Sequence, residues 1–75
     1  MKRFIVFAYD ANERGSGCRD IFGLATELRE AEMLVSVAKD KPAVDQIEIY
    51  DIHKESLISE WTKGIDQNWR QFDAE

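Results

Sequence analysis

A stretch near the start of the chain, RFIVFAY (residues 3–9), carries apolar side chains at every position after the first. Aromatic and β-branched residues in such a run predict a strand. Alternate residues of a strand point to opposite faces, so both faces of this strand would be apolar. A strand of this kind is typical of the interior of a sheet that is covered on both sides. The faces would be formed by Phe4, Val6 and Ala8 on one side and by Ile5, Phe7 and Tyr9 on the other.

The chain then passes through turn-forming residues, DANERGSGCR (residues 10–19), into a short apolar run, DIFGLA (residues 20–25). We expect this run to be a second strand, paired antiparallel with the first across a hairpin. A helix beginning at Asp20 is the alternative, and Gly23 weakens both interpretations.

One helix is predicted over TELREAEMLVSVAKDKP (residues 26–42). Thr26 is a suitable N-cap, Glu27 and Glu30 suit the first turn, and Pro42 ends the helix. The residues at helical spacing that we expect to pack on the sheet are Leu28, Ala31, Leu34, Val35 and Ala38.

Two more strands are expected in DQIEIYDI (residues 45–52) and LISEWT (residues 57–62), joined by the turn HKES. The predicted fold is therefore α+β, with a ββαββ domain over residues 1–62 and a four-stranded antiparallel sheet in the order 2-1-3-4. One helix covers one face. In the tail, residues 63–75, the spacing of Ile65, Trp69 and Phe72 predicts a short amphipathic helix. We expect Tyr50, Trp61 and either Phe4 or Phe7 on the other face, which the tail, a second copy of the chain or a ligand would cover.

A chain of 75 residues buries only a modest core. One cysteine and one histidine leave no internal disulfide and no zinc cluster to stabilise it. Association between copies is the remaining common route, so a homo-oligomer is expected. The predicted interface combines two residues of the helix with three aromatic residues. The alternative role of the helix residues is to widen the core face of the helix. The alternative role of the aromatic residues is to pack within their own chain. The predicted interface residues are Met33, Val37, Trp61, Trp69 and Phe72.

The net charge of −5 and the pI near 4.8 disfavour binding to duplex nucleic acid, which needs a basic surface. No apolar run approaches the roughly 20 residues of a membrane span, and the first residues do not resemble a signal peptide. A single unpaired thiol fits a reducing cytosol, so the predicted location is cytoplasmic.

The loop after the first strand is the strongest candidate binding site. Its glycine amides favour a nest for an anion, its arginines suit phosphate or carboxylate, and the tyrosine that precedes it suits stacking. The alternative is a plain hairpin loop whose arginines pair with neighbouring acids. The candidate ligand-binding residues are Tyr9, Arg14, Gly15, Ser16, Gly17 and Arg19.

No catalytic or metal site is expected. Cys18 lies beside Arg19, but the only histidine, His53, falls in a distant turn and offers no nearby base. Asp10 and Asp20 bracket the loop and more simply cap it than hold a cation. The chain is therefore predicted to be non-enzymatic, with no cofactor and no metal.

The chain resembles a class of small phage and prophage proteins over roughly residues 3–58. Their pattern is a strand ending in Phe-x-Tyr-Asp, a glycine-containing loop, Asp-x-x-Gly, and a helix with Glu-Ala. The matching residues here are Phe7, Tyr9, Asp10, Gly17, Asp20, Gly23, Glu30 and Ala31, and EIYDI (residues 48–52) also fits. Small phage proteins of this size often inhibit host defence stoichiometrically, and some bind nucleotide immune signals between subunits.

The resemblance implies a homo-oligomeric binding protein that sequesters a small anionic ligand, such as a nucleotide, in an infected or lysogenic cell. A protein-binding inhibitor that docks on a host protein through an acidic surface is the first alternative. An enzyme that cleaves the nucleotide is the second.

Overall fold

The computed structural model describes residues 1–10 and 21–73, which form an antiparallel sheet with a helix on one face. The strands lie in the order β2-β1-β3-β4-β5, and every neighbouring pair is antiparallel. The α+β class and the order of the first four strands are confirmed. The elements are β1 (Phe4–Tyr9), β2 (Ile21–Ala25), α1 (Leu28–Lys39), β3 (Gln46–Asp51), β4 (Ser56–Lys63) and β5 (Trp69–Asp73).

β1 lies inside the sheet, between β2 and β3, as its doubly apolar pattern predicts. Phe4 and Val6 are buried on the side that faces α1, while Ile5 and Phe7 are half-buried on the other side. Ile49 lies directly opposite Val6 on the neighbouring strand and joins the same core. The core thus sits between the helix and one face of the sheet. Its buried apolar residues are Phe4, Val6, Ala25, Ala31, Val35, Ala38, Ile47, Ile49 and Trp61.

α1 packs on β1 and β2 about equally and only slightly on β3. Ala31 and Ala38 are fully buried, and such small side chains let the helix lie close to the sheet. Gly23 in β2 contributes in the same way, because a Cβ at this position would lie 2.9 Å from Cδ1 of Leu34. The small residues therefore determine where α1 sits, over the two strands at one side of the sheet.

The first turn of α1 begins one residue later than the sequence indicates. Glu27, not Thr26, occupies the N-cap, and its backbone N–H donates to Oε1 of Glu30 at 3.0 Å. This acidic side chain at the start of the helix also suits the positive end of the helix dipole. At the other end the N–H of Asp40 donates to the carbonyl of Val37 at 3.1 Å, two residues before Pro42.

The prediction of four strands and a helical tail is wrong, because Trp69–Asp73 forms a fifth strand along β4. A turn precedes it, in which the N–H of Gly64 donates to the carbonyl of Asn68 and Gln67 has a φ of 67°. Bonds from the Asn68 N–H and the Arg70 guanidinium lower the pKa of the Asp66 carboxyl in this turn. The backbone of β4 thereby gains hydrogen bonds that a tail helix would not supply.

Trp61 lies on the side of the sheet that faces α1, opposite Ile47, and not on the other face as expected. It is buried, with Nζ of Lys39 located 5.7 Å from the centre of its ring. A register shift between Ile49 and Tyr50 leaves Ile58 of β4 as an extra residue. Such a bulge breaks the simple alternation along a strand, so the face of Trp61 could not be counted from the start of β4.

Candidate functional site

The predicted ligand-binding loop falls mostly on residues that the structure does not describe. Of its six residues, Tyr9 lies at the end of β1, half-buried and opposite Gln46 of β3. Arg14, Gly15, Ser16, Gly17 and Arg19 lie outside the described residues, as does Cys18. Binding by this loop therefore stays a prediction.

The five predicted interface residues do not form one surface. Met33 and Val37 are exposed on α1, Phe72 is exposed on the sheet face away from α1, and Trp61 is buried in the core. Trp69 is half-buried on β5, with Nζ of Lys63 located 5.3 Å from the centre of its ring. Two separate surfaces thus remain as candidates, one on the helix and one on the sheet.

The sheet face away from α1, here called the open face, carries three rows of side chains that run across the strands. Among the described elements only α1 packs on a sheet face, and it packs on the opposite one. An apolar row at one end gives way to a mixed row and then to a polar row with a bond from Oγ1 of Thr62 to Oε1 of Gln46 at 2.8 Å. In this order the rows are Leu24, Ile5, Tyr50 and Leu57; Ile21, Phe7, Glu48, Glu60 and Phe72; and Tyr9, Gln46, Thr62 and Arg70.

Two glutamates, Glu48 and Glu60, lie directly opposite each other in the middle row and are here called the acidic pair. Phe7 flanks the pair on one side and Phe72 on the other. Like charges directly opposite each other on neighbouring strands cost stability. Carboxylates between aromatic side chains also suit recognition of a cation, which pairs with the acids and rests on the rings.

A second candidate surface is a groove beside α1, here called the side groove. Its volume is about 300 Å³, and it is lined by Leu24, Glu30, Met33, Leu34 and Val37. The four helical residues recur at three- and four-residue spacing, so they form a second stripe beside the buried one. Leu24 belongs to β2, an edge strand of the sheet, so the groove extends to that edge.

The charged cluster of Arg3 and Asp51 has a structural role. Asp51 is buried beside Phe4, and its carboxylate accepts two bonds from the Arg3 guanidinium, at 3.1 and 2.9 Å. It also accepts the backbone N–H of His53 at 2.9 Å, which holds the turn after β3. These bonds, chiefly those from Arg3, lower the pKa of the Asp51 carboxyl to about 2. Every charge in the cluster is matched, so it offers no group for chemistry.

Within residues 1–10 and 21–73, no three His, Cys, Asp or Glu side chains come close enough together to hold a metal ion. In the same part of the chain, no helix is both long and apolar enough to cross a bilayer.

Comparisons with family models, with curated proteins and with solved structures found no match to this chain.

Sequence reasoning missed the acidic pair, although part of the signal is visible. Glu48 lies between Ile47 and Ile49 in an alternating strand, which assigns it to the face away from the core. Its position opposite Glu60 depends on the register of β3 with β4, which the bulge at Ile58 sets. Charge on the open face was therefore predictable, but a pair was not.

Proposed function

We propose that this chain is a non-enzymatic binding protein that docks on a basic protein surface through its open face. The observation that carries the proposal is the acidic pair, set between Phe7 and Phe72 on a sheet face that no described element covers. The partner would place lysine or arginine side chains on the glutamates and apolar groups on the neighbouring row.

The composition of the open face supports recognition of a protein. Tyrosine and phenylalanine are enriched at protein interfaces, and the apolar row supplies area that favours burial. Phe72 is 54% exposed, so its ring offers apolar area that a partner can bury. The net charge of −5 adds a long-range attraction for a basic partner and speeds its association.

The cost of the acidic pair is a second support. Cross-strand pairs of opposite charge stabilise a sheet and pairs of like charge destabilise it. Glu60 opposite Glu48 is a pair of the like-charged kind. A face that binds a cation gains affinity from both, because the two glutamates lie opposite each other on neighbouring strands.

A selection from a random peptide library, displayed on phage and panned on the immobilised protein, tests the proposal. We expect the recovered peptides to combine lysine or arginine with aromatic residues and to bind more weakly as salt rises. Glu60→Lys should weaken their binding by about tenfold, since it replaces attraction with repulsion. Phe72→Ser should weaken it as well.

Glu32→Lys is the matched control, because it changes the net charge by the same amount on an exposed part of α1. Peptides that bind this control and the two open-face variants equally well would place recognition elsewhere and overturn the proposal.

Sequestration of a small anionic ligand by a homo-oligomer, as an anti-defence activity in the cytosol of a phage-infected cell, is the second candidate. Arg14 and Arg19 favour it, because they follow the Tyr9 end of β1 in a glycine-containing segment. Asp10 follows Tyr9 in the chain, and the N–H of Asp45 donates to the carbonyl of Tyr9, so both acids lie at the same end of the sheet as Tyr9.

A thermal-shift screen with cyclic and linear nucleotides tests this second candidate. A ligand that binds only the folded protein raises its melting temperature in proportion to RT ln(1 + [L]/Kd). Arg14→Ala and Arg19→Ala should abolish the shift, whereas Glu60→Lys should leave it in place. The absence of any shift at high nucleotide concentration would exclude sequestration of those ligands and leave docking through the open face untouched.

A further inference from the structure

We propose that two copies of this chain associate through the β2 edge and the side groove, giving a two-fold dimer with a continuous ten-stranded sheet. In such a dimer β2 pairs antiparallel with β2 of the second copy, and the two α1 helices pack side by side. The proposal concerns the edge of the sheet, and it stands independently of what the open face binds.

The edge of β2 supplies the backbone part of the contact. In the described part of the chain β1 is the only strand beside β2, and the proposed dimer pairs the N–H and C=O groups on the other edge of β2 with those of the second copy. An isologous contact brings the same patch of both copies together, and antiparallel pairing of one strand with itself meets that condition.

The side groove supplies the apolar part. Met33 is 68% exposed and Val37 49%, and both extend from α1 on the side of β2. The other side of α1 is different, since Arg29, Glu32 and Ser36 are polar and Lys39 lies over Trp61. The second apolar stripe of the helix is therefore confined to the side that faces outward over the free edge.

The position of α1 matches the spacing that a second copy requires. Because α1 packs about equally on β1 and β2 and less on β3, we infer that its axis lies near the space between β1 and β2. Neighbouring strands are about 4.8 Å apart. In the dimer, the two-fold axis lies midway between the two paired β2 strands. The axis of α1, midway between β1 and β2, is therefore about 4.8 Å from the two-fold axis. The two helices would then be about 10 Å apart, which is the distance of packed helices.

The level of α1 along β2 also suits this symmetry. Leu34 sits over Gly23, the middle residue of β2, because an added Cβ there would meet it. A two-fold axis beside Gly23 therefore brings Met33 and Val37 of both copies to the centre of the contact. The helices run antiparallel across this axis, which brings the acidic first turn with Glu30 toward Lys41 after the end of the second copy's helix.

Equilibrium sedimentation over a range of protein concentrations tests the proposal. We expect a monomer–dimer equilibrium in which Val37→Glu weakens association by at least about 100-fold, because it buries two carboxylates at the axis. Glu32→Lys, on the other side of α1, should leave association unchanged. Circular dichroism should show that Val37→Glu is still folded, since a residue this exposed can change without loss of the fold.

An isotope-filtered NOE experiment on a mixture of labelled and unlabelled chains identifies the surface. Contacts between the Met33 methyl of one copy and the Val37 methyl of the other, with slow amide exchange along β2, would support the proposal. A monomer at NMR concentrations would overturn it. So would a dimer that survives Val37→Glu but is lost in Phe72→Ser, since that dimer would use the open face.

Discussion

Replacing Glu60 with lysine should stabilise the protein while it weakens the proposed binding. Glu60 lies directly opposite Glu48, and side chains in such pairs have Cβ atoms about 5 Å apart. With the carboxylates about 6 Å apart in a water-like dielectric, their repulsion is about 0.7 kcal/mol. A lysine turns this repulsion into an attraction of similar size. The electrostatic change is then about 1.4 kcal/mol, and measured cross-strand pairs suggest that about 1 kcal/mol of it is realised.

Thermal denaturation followed by circular dichroism measures this gain. A change of about 1 kcal/mol in the free energy of unfolding raises Tm by about 4–8 °C in a domain of this size. Glu60→Gln removes the repulsion without adding an attraction, so it should give about half the shift. The difference in Tm between Glu60→Lys and the wild type should shrink when salt rises from about 0.02 M to about 1 M, because the screening length falls to about 3 Å.

The control is again Glu32→Lys, which changes the net charge equally without a cross-strand partner. If Glu60→Lys melts at or below the wild-type temperature in low salt, the acidic pair costs nothing. The same conclusion follows if the gain persists undiminished at high salt or if the control shows it as well. Any of these results would show that the acidic pair does not destabilise the sheet.

Three further predictions concern the fold. Because Arg3 holds the pKa of Asp51 at about 2, below its ordinary 3.8, the stability from this pair should be complete above about pH 4 and lost as the pH falls through 2. Urea melts at stepped pH should show this loss in the wild type and not in Asp51→Asn. Ile49→Ala should cost about 2–5 kcal/mol in urea unfolding and Ile49→Val about 0.5–1.5, since Ile49 is 1% exposed; equal costs would contradict its place in the core. Gln67→Gly should raise Tm, because relief of a left-handed backbone, about 1–2 kcal/mol, exceeds the added unfolded-state entropy of about 0.5–1 kcal/mol. In a helical tail the same change would lower Tm, since glycine costs about 1 kcal/mol in a helix.

The elements predicted correctly are those whose signal repeats along the chain. β1 is apolar at every position and therefore had to lie inside a sheet, which in turn decided the strand order. The tail offered only Ile65, Trp69 and Phe72, and a spacing of three or four residues does not distinguish a helix from a turn followed by a strand. Backbone hydrogen bonding favoured the strand over the helix, because the edge of β4 gained a hydrogen-bonded partner in β5.

The candidate surfaces were harder to predict because they depend on register. Met33 and Val37 were identified from their position beside the core stripe, which needs only the helical period. The acidic pair joins residues that are twelve positions apart in the chain, and the extra residue Ile58 decides which of them meet. A bulge leaves no clear mark in a single sequence, so neither the pair nor the burial of Trp61 could be deduced.

The two proposed surfaces reinforce each other through the symmetry of the sheet. A two-fold axis beside β2 is perpendicular to the sheet, so it leaves both open faces on the same side of the dimer. The apolar rows, which begin at Leu24 in each copy, then meet at the axis. The acidic pair lies between β3 and β4, three strand spacings of about 4.8 Å from the two-fold axis. The two acidic pairs of the dimer are therefore about 29 Å apart. A partner with basic groups at that separation would bind both pairs at once, and the second contact would act at the high effective concentration of a tethered site. A monomer that binds weakly through one open face would thereby become a tight binder as a dimer.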